Sequence, residues 1–496
     1  MDQNNGGIIG KINTPTTTLA SGVWSLDSQF ESQAGSTWPL AFPQTTIANS
    51  LRFDDGSLEY LNATNSTPTN NDKCTLSVWV KRSALGGTKS ILGYHTDDNN
   101  RGNFVFDVDK LEVRMIDGGS TTTQLTTNQV FRDVSAWYHI VLSVDTTQAT
   151  ASSRVRIYVN GSEVTSFGTE TNPSQNQNFG FNNSSVVLKI GQKGEDNDFF
   201  DGYMAEYVFI DGQQLEPTSF GAFNPVTNIW EPRPYAGTYG NNGFRLDFSD
   251  SSALGDDVSG NGNDFTVNNL TSIDQSTDTC SNNFATFNPI FGMGRQDQLT
   301  YSEGNTVVVS GATSGSDTTA TSTFAFDSGK WYAEFKLTND ANGAYIGVAT
   351  SNFNFTNSGV DTSAQSENWI VRGDDGTVRN NGSTAYFGTS FSNDDIIQIA
   401  IDMDNSKIWW GLNGTYANSG NPATGSNPAF SNLSGELMII VGDNFSTKTP
   451  TIKANFGSPA FSISSSNADA NGFGNFEYSV PSGYFALNTK NLAEYG

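Results

Sequence analysis

Histidine and cysteine are nearly missing from this chain. Two His (His95, His139) and two Cys (Cys74, Cys280) serve 496 residues. Neither His has a Cys or another His at zinc-ligand spacing, which speaks against a zinc site. The two Cys fall in different segments, which argues against a disulfide between them, and so little cysteine fits assembly in a reducing cytoplasm. Positive charge is scarce as well. Lys and Arg number 25 against 51 Asp and Glu, for a net charge of −26. Such a chain repels a phosphate backbone, so nucleic acid is excluded as a partner. No stretch approaches the roughly eighteen apolar residues of a membrane span, and membrane insertion is not expected. Met1-Asp-Gln-Asn-Asn-Gly6 has neither the basic nor the apolar region of a signal peptide. No window holds a sustained helical period with caps. Gly-x-Ser-x-Gly and phosphate-binding loops are absent. So is a Glu-x-Asp-x-x-Glu or Glu-x-Asp-x-Glu run, which would place a glycosidase pair about 5–5.5 Å apart on one face of a strand. The chain is therefore not read as an enzyme.

What is abundant is turn and strand material. Glycine reaches 50 residues, and aromatics make up 12% with 34 Phe. Alternating aromatic and β-branched residues between polar turns predict an all-β protein. One pattern occurs twice. Trp137-Tyr-His-Ile-Val-Leu-Ser-Val-Asp145 is followed by Arg154-Val-Arg-Ile-Tyr-Val-Asn-Gly161. Ile396-Ile-Gln-Ile-Ala-Ile-Asp402 is followed by Lys407-Ile-Trp-Trp-Gly-Leu-Asn-Gly414. Each reads as an antiparallel hairpin whose second strand enters an Asn-Gly turn at positive φ. Two distant copies predict two antiparallel β-sandwich (jelly-roll) domains.

Five segments follow. Residues 1–48 read as an extended arm with short apolar knots. Ile8, Ile9, Trp24, Leu26 and Trp38 are too large and apolar to leave in water, so the arm is expected to attach to a neighbour. Residues 49–215 carry Ser50-Leu-Arg-Phe-Asp-Asp-Gly-Ser-Leu-Glu-Tyr-Leu61, Leu76-Ser-Val-Trp-Val-Lys-Arg82, Ser90-Ile-Leu-Gly-Tyr94 and Phe200-Asp-Gly-Tyr-Met-Ala-Glu-Tyr-Val-Phe-Ile-Asp-Gly212. Their order and spacing resemble laminin-G-like, concanavalin-type lectin domains. Residues 216–298 read as a connector with partial strands that either complete the first sandwich or bridge the two. Residues 299–462 resemble the SPRY family through Gly329-Lys-Trp-Tyr-Ala-Glu-Phe-Lys-Leu337, Ala344-Tyr-Ile-Gly-Val-Ala349, the second hairpin and Asn455-Phe-Gly457 with Phe461. Trp331, Phe335, Ile346 and Phe456 are expected to point inward. Residues 463–496 read as an extended tail.

Taken together, the layout resembles virion proteins of marine bacteriophages, of the tail-fibre and host-adsorption type. That resemblance implies a virion location after assembly in the host cytoplasm. It implies other virion proteins as partners of the arm, and a host surface glycan or protein as ligand. It also implies a homo-oligomer, for which a trimer is the analogy. The alternative is a spacer or decoration protein on capsid or tail with no ligand of its own. A polysaccharide depolymerase is the third class.

Sandwich lectins hold sugars in rim loops, with Asp and Asn on hydroxyls and an aromatic on the apolar face. The candidates are Tyr94, Asp97, Asp98, Asn100 and Arg101 in the first domain, and Trp369, Arg372, Asp374, Asp375 and Tyr386 in the second. Trp369, in Asn368-Trp-Ile-Val371, also reads as an inward strand residue. No cofactor is required by this reading. Asp196 and Asp198, in a turn before Phe199, are candidate Ca²⁺ ligands, with a solvated loop as the alternative.

Overall fold

The computed structural model describes residues 45–496, apart from 195–196, 226, 295–297, 312–317, 354–365, 382, 387–388 and 444–447. The five arm residues singled out above lie outside the described residues. Apart from short 3₁₀ turns and one terminal helix, the described chain is built of strands.

The first sandwich packs two eight-stranded sheets. One centres on Lys73–Arg82, flanked by Trp137–Asp145 and Gly202–Asp211. The other runs through Ser120–Val130, Lys110–Asp117, Asn100–Asp107, Thr88–Asp97, Val187–Ile190 and Tyr60–Thr64. Period-two alternation sends Leu76, Val78 and Val80 from the first sheet, and Phe104, Phe106, Leu111 and Val113 from the second, into one core. The chain after 237 returns to this sandwich. Phe244–Leu246 pairs with Gly202–Asp211, Thr266–Asn268 with Tyr60–Thr64, and Gln275–Ser276 with Ser50–Phe53. Residues 217–237 belong to another unit. There Gly221–Phe223 pairs with Trp230–Pro232, and Phe223 sits edge-on to Trp230 at 4.9 Å.

The second sandwich packs a seven-stranded sheet on an eight-stranded one. Trp331, Phe335, Ile346 and Phe456 all lie in its core, as expected. Gly347 is required by close approach, because a Cβ there would lie 2.0 Å from the Trp369 carbonyl oxygen.

Both repeated hairpins form, and both end in two-residue turns. Asn160 and Gly161 have φ of 48° and 80°, and Asn413 and Gly414 have 48° and 86°. The Asn side chains do the same work in each. The His139 amide donates to Asn160 Oδ1 at 2.8 Å, and the Ile396 amide to Asn413 Oδ1 at 2.9 Å.

Two expectations change. The tail is not extended throughout. Phe485–Ala486 pairs in parallel with Lys330–Asn339, and Thr489–Tyr495 is an α-helix. Asn488 caps that helix by accepting from the Asn491 amide, and Tyr495 stacks on Phe485 at 3.9 Å. Within the segment read as an arm, Ile47 is docked. It is 6% exposed, and its backbone bonds the Ser281 and Thr279 hydroxyls.

The sandwiches are joined by buried polar contacts. The Arg52 guanidinium, fully buried, binds Glu303 at 3.0 Å and Asp274 at 3.4 Å. Tyr203 donates to the Gly304 carbonyl at 3.0 Å, and Asn305 to the Ser83 carbonyl at 2.9 Å.

Candidate functional site

In the first sandwich, the strands Asn100–Asp107 and Lys110–Asp117 turn their large apolar residues to the core. The same alternation must turn Arg101, Asn103, Val105 and Asp107, and Glu112, Arg114 and Ile116, to the outer face. Register sets Asn103 opposite Arg114 and Val105 opposite Glu112. A cavity of about 190 Å³ opens there, lined by these residues together with Thr88, Gly102 and Lys193.

One wall depends on a glycine. Gly93 pairs with Asn103. A Cβ at Gly93 would lie 2.7 Å from both the Gln192 carbonyl oxygen and the Gly194 nitrogen. Only a missing side chain lets the 192–194 segment lie across the sheet and bring Lys193 to the groove.

The groove's polar groups are partly held and partly free. Glu112 Oε2 accepts from Thr126 at 2.7 Å and Gln124 at 3.0 Å. Asp107 accepts from Thr88 at 3.1 Å. By contrast, Asn103 Oδ1 and Arg114 Nε are buried with no hydrogen-bond partner among the described residues. Buried polar atoms are normally satisfied, so a polar molecule in the groove suits both. Arg101, Arg114 and Lys193 set three cations beside Asp107 and Glu112 in a chain of net charge −26, with Lys193 also paired to Asp198 at 2.8 Å and Arg101 to Asp98 at 3.6 Å.

The first-domain candidates divide. Asp97, Asp98, Asn100 and Arg101 share the turn between Thr88–Asp97 and Asn100–Asp107. Asp97 accepts from the Asn100 side chain at 3.0 Å and the Asn99 amide at 2.8 Å, and these bonds hold its carboxyl below the usual range. Arg101 donates to the Asp98 carbonyl at 2.9 Å and is the one of the four that lines the groove. Tyr94 is a correction. It is 5% exposed and edge-on to Phe181 at 5.8 Å, because it falls on the core-facing side of its strand.

The second-domain candidates differ in exposure. Trp369 is 1% exposed in the core, and its Nε1 donates to Asn432 at 3.0 Å, which makes it the inward residue of the two readings. Arg372 is buried and spent on Asp374 at 2.7 Å. Burial pushes the Asp374 carboxyl up. Asp375 is exposed and accepts from Thr377. Tyr386 ends the Ser383–Tyr386 strand, and its side chain lies outside the described residues.

The calcium candidates also move. Asp196 lies outside the described residues. Asp198 pairs with Lys193 at 2.8 Å. A different group could hold a divalent ion: Asp54, Asp55 and Asp201 bring one oxygen each within 4.8 Å of one another. Burial, then the Asp55 charge, pushes the Asp201 carboxyl up to about 8, against the pull of Lys89. Burial likewise raises the neighbouring Glu59 to about 8. The signal was present in the two turns Phe53-Asp-Asp-Gly56 and Phe200-Asp-Gly202. It needed the pairing of Phe53 with Gly202 to become a cluster.

Comparison with known proteins agrees with the fold. Residues 55–215 match the Laminin_G_3 family, described as the Concanavalin A-like lectin/glucanases superfamily, and residues 330–458 match the SPRY domain. Among solved structures, the SPRY domain of human HERC1 is 20% identical, with a TM-score of 0.28 over 34% of this chain and 96% of that one. The TRIM65 PSpry domain is 14% identical, with a TM-score of 0.27 over 34% and 88%. The heptameric pentraxin of Limulus polyphemus is 16% identical, with a TM-score of 0.27 over 34% and 79%. No curated protein matches the chain. A segment matching the lectin/glucanase superfamily and one matching the SPRY domain thus occupy more than half of it.

Proposed function

We propose that this protein is a non-enzymatic recognition protein that binds an acidic or strongly hydroxylated glycan in the groove over Asn103, Glu112 and Arg114. One observation carries the reading. The groove gathers three cations on an otherwise acidic chain, and two of its buried polar atoms have no partner among the described residues. Guanidinium groups and amides in alternation suit carboxylates and vicinal hydroxyls.

The resemblance of the whole layout to phage adsorption proteins supports a finer reading. The ligand is then a host surface polysaccharide, and residues 1–44 attach the chain to other virion proteins as part of a homo-oligomer. Calorimetric titration of the full chain with purified host polysaccharide tests the groove. Saturable binding that Arg114→Ala weakens about tenfold or more supports it, and binding unaffected by Arg114→Ala overturns it. New reducing ends during the titration would convert the reading to a depolymerase, with Asp107 and Glu112 as the carboxylates to examine. Particles that lack the protein yet adsorb normally would leave only a structural role.

A further inference from the structure

The structure points to a calcium site that the glycan groove does not include. We propose that Asp54, Asp55 and Asp201 bind one Ca²⁺ that clasps the turn after Ser50–Phe53 to the turn before Gly202–Asp211.

Three observations converge. The oxygens lie within 4.8 Å of one another, close enough for one cation to touch all three. Asp201 is 7% exposed, and its Oδ1 is buried without a hydrogen-bond partner among the described residues. A buried carboxyl oxygen so placed suits a cation or a donor. The charge balance is also incomplete. Lys89 Nζ pairs with Asp55, so three carboxyl groups share one ammonium. The next groups outward are already engaged: Glu59 accepts from the Asp54 amide at 2.7 Å, and Glu303 is held by Arg52. A divalent ion supplies the missing charge, and hard oxygen donors suit calcium.

The site has a structural consequence. Asp201 follows the Gln192–Lys193/Asn197–Phe199 hairpin, the segment that carries Lys193 to the groove. Calcium would therefore anchor one wall of the glycan site from outside it.

The test uses the full chain, stripped with chelator and titrated with CaCl₂ by calorimetry, with melting followed in parallel and no glycan present. One site and a rise in melting temperature are expected. Asp201→Asn should weaken binding about tenfold or more. Lys89→Met should tighten it by removing the internal competitor. Absence of calcium-dependent heat, or an Asp201→Asn chain that titrates like the parent, overturns the proposal. So does Lys89→Met if it lowers stability in calcium without tightening binding, since the lysine would then be the cluster's only counter-ion. Because no glycan enters this assay, its failure is separate from failure of the groove reading.

Discussion

Lys81 and Asp278 form an ion pair of 2.8 Å in which both side chains are 1% exposed. Lys81 lies in the central strand of the first sandwich, and Asp278 lies on the chain that leads to the second. Lys81 Nζ also donates to Asn283 Oδ1 at 2.7 Å and the Phe284 carbonyl at 3.2 Å. Asp278 accepts in addition from Trp137 Nε1 at 3.2 Å. With all three ammonium protons and both carboxylate oxygens engaged, the pair works as a specific joint between the sandwiches.

Lys81→Met is expected to cost about 3–5 kcal/mol, because it leaves Asp278 buried without a cation. The double change Lys81→Met with Asp278→Asn should recover part of that loss. Urea unfolding measures both. A single cooperative transition in the parent that splits in two for Lys81→Met would show the joint coupling the sandwiches.

The Asn-Gly turns give a paired comparison. Asn160→Ala and Asn413→Ala each lose one bond to a strand amide and put at positive φ a residue that tolerates it less well than Asn, for a cost of about 1–2 kcal/mol each. The Gly variants should cost less, since they relieve the backbone and lose only the bond. Thermal melts of the four variants check the order.

Acid should destabilise the fold through His139. Its ring stacks on Trp79 at 4.8 Å and its Nε2 lies 2.8 Å from Ser77 Oγ. Burial lowers its pKa from 6.5 to about 3. The unfolded chain therefore binds a proton between those values while the folded chain does not. Stability falls as pH drops through that window, by up to about 1.4 kcal/mol per pH unit from this group. His139→Gln should flatten the difference between denaturation midpoints at pH 7 and pH 4.5.

Groove and core substitutions should separate cleanly. Asn103→Ala and Arg114→Ala are expected to reduce polysaccharide affinity with little change in melting temperature. Tyr94→Ala and Trp369→Ala remove large buried rings and should cost about 3–5 kcal/mol. Parallel melting and binding curves on all four variants test this division.

The arm can be tested with a boundary taken from the structure. Because Ile47 is docked, the informative deletion is residues 2–44 rather than 2–48. The shortened chain is expected to fold with unchanged melting temperature and to fail to enter particles. Incorporation at the parental level would show that the arm does not anchor the protein.

Local signals were enough for the fold class and for both hairpins. Strand alternation and Asn-Gly turns act over a few residues, so Trp331, Phe335, Ile346 and Phe456 could be placed in the core by periodicity alone. The face of a single strand was less legible. Tyr94 looks like an exposed aromatic beside a polar turn, yet the sheet turns it inward, and Trp369, which reads either way, takes its inward place only in the sheet. The groove and the acidic cluster were decided only by tertiary structure. Arg114 faces Asn103 because two strands pair in one register, and Lys193 reaches them because Gly93 lets a distant segment cross the sheet. Asp54 and Asp201 are 147 positions apart in sequence, and the antiparallel pairing of Phe53 with Gly202 makes them neighbours. The joint between Lys81 and Asp278 has the same origin. Sequence carries the period of each strand, but which charges share a buried space depends on which strands meet.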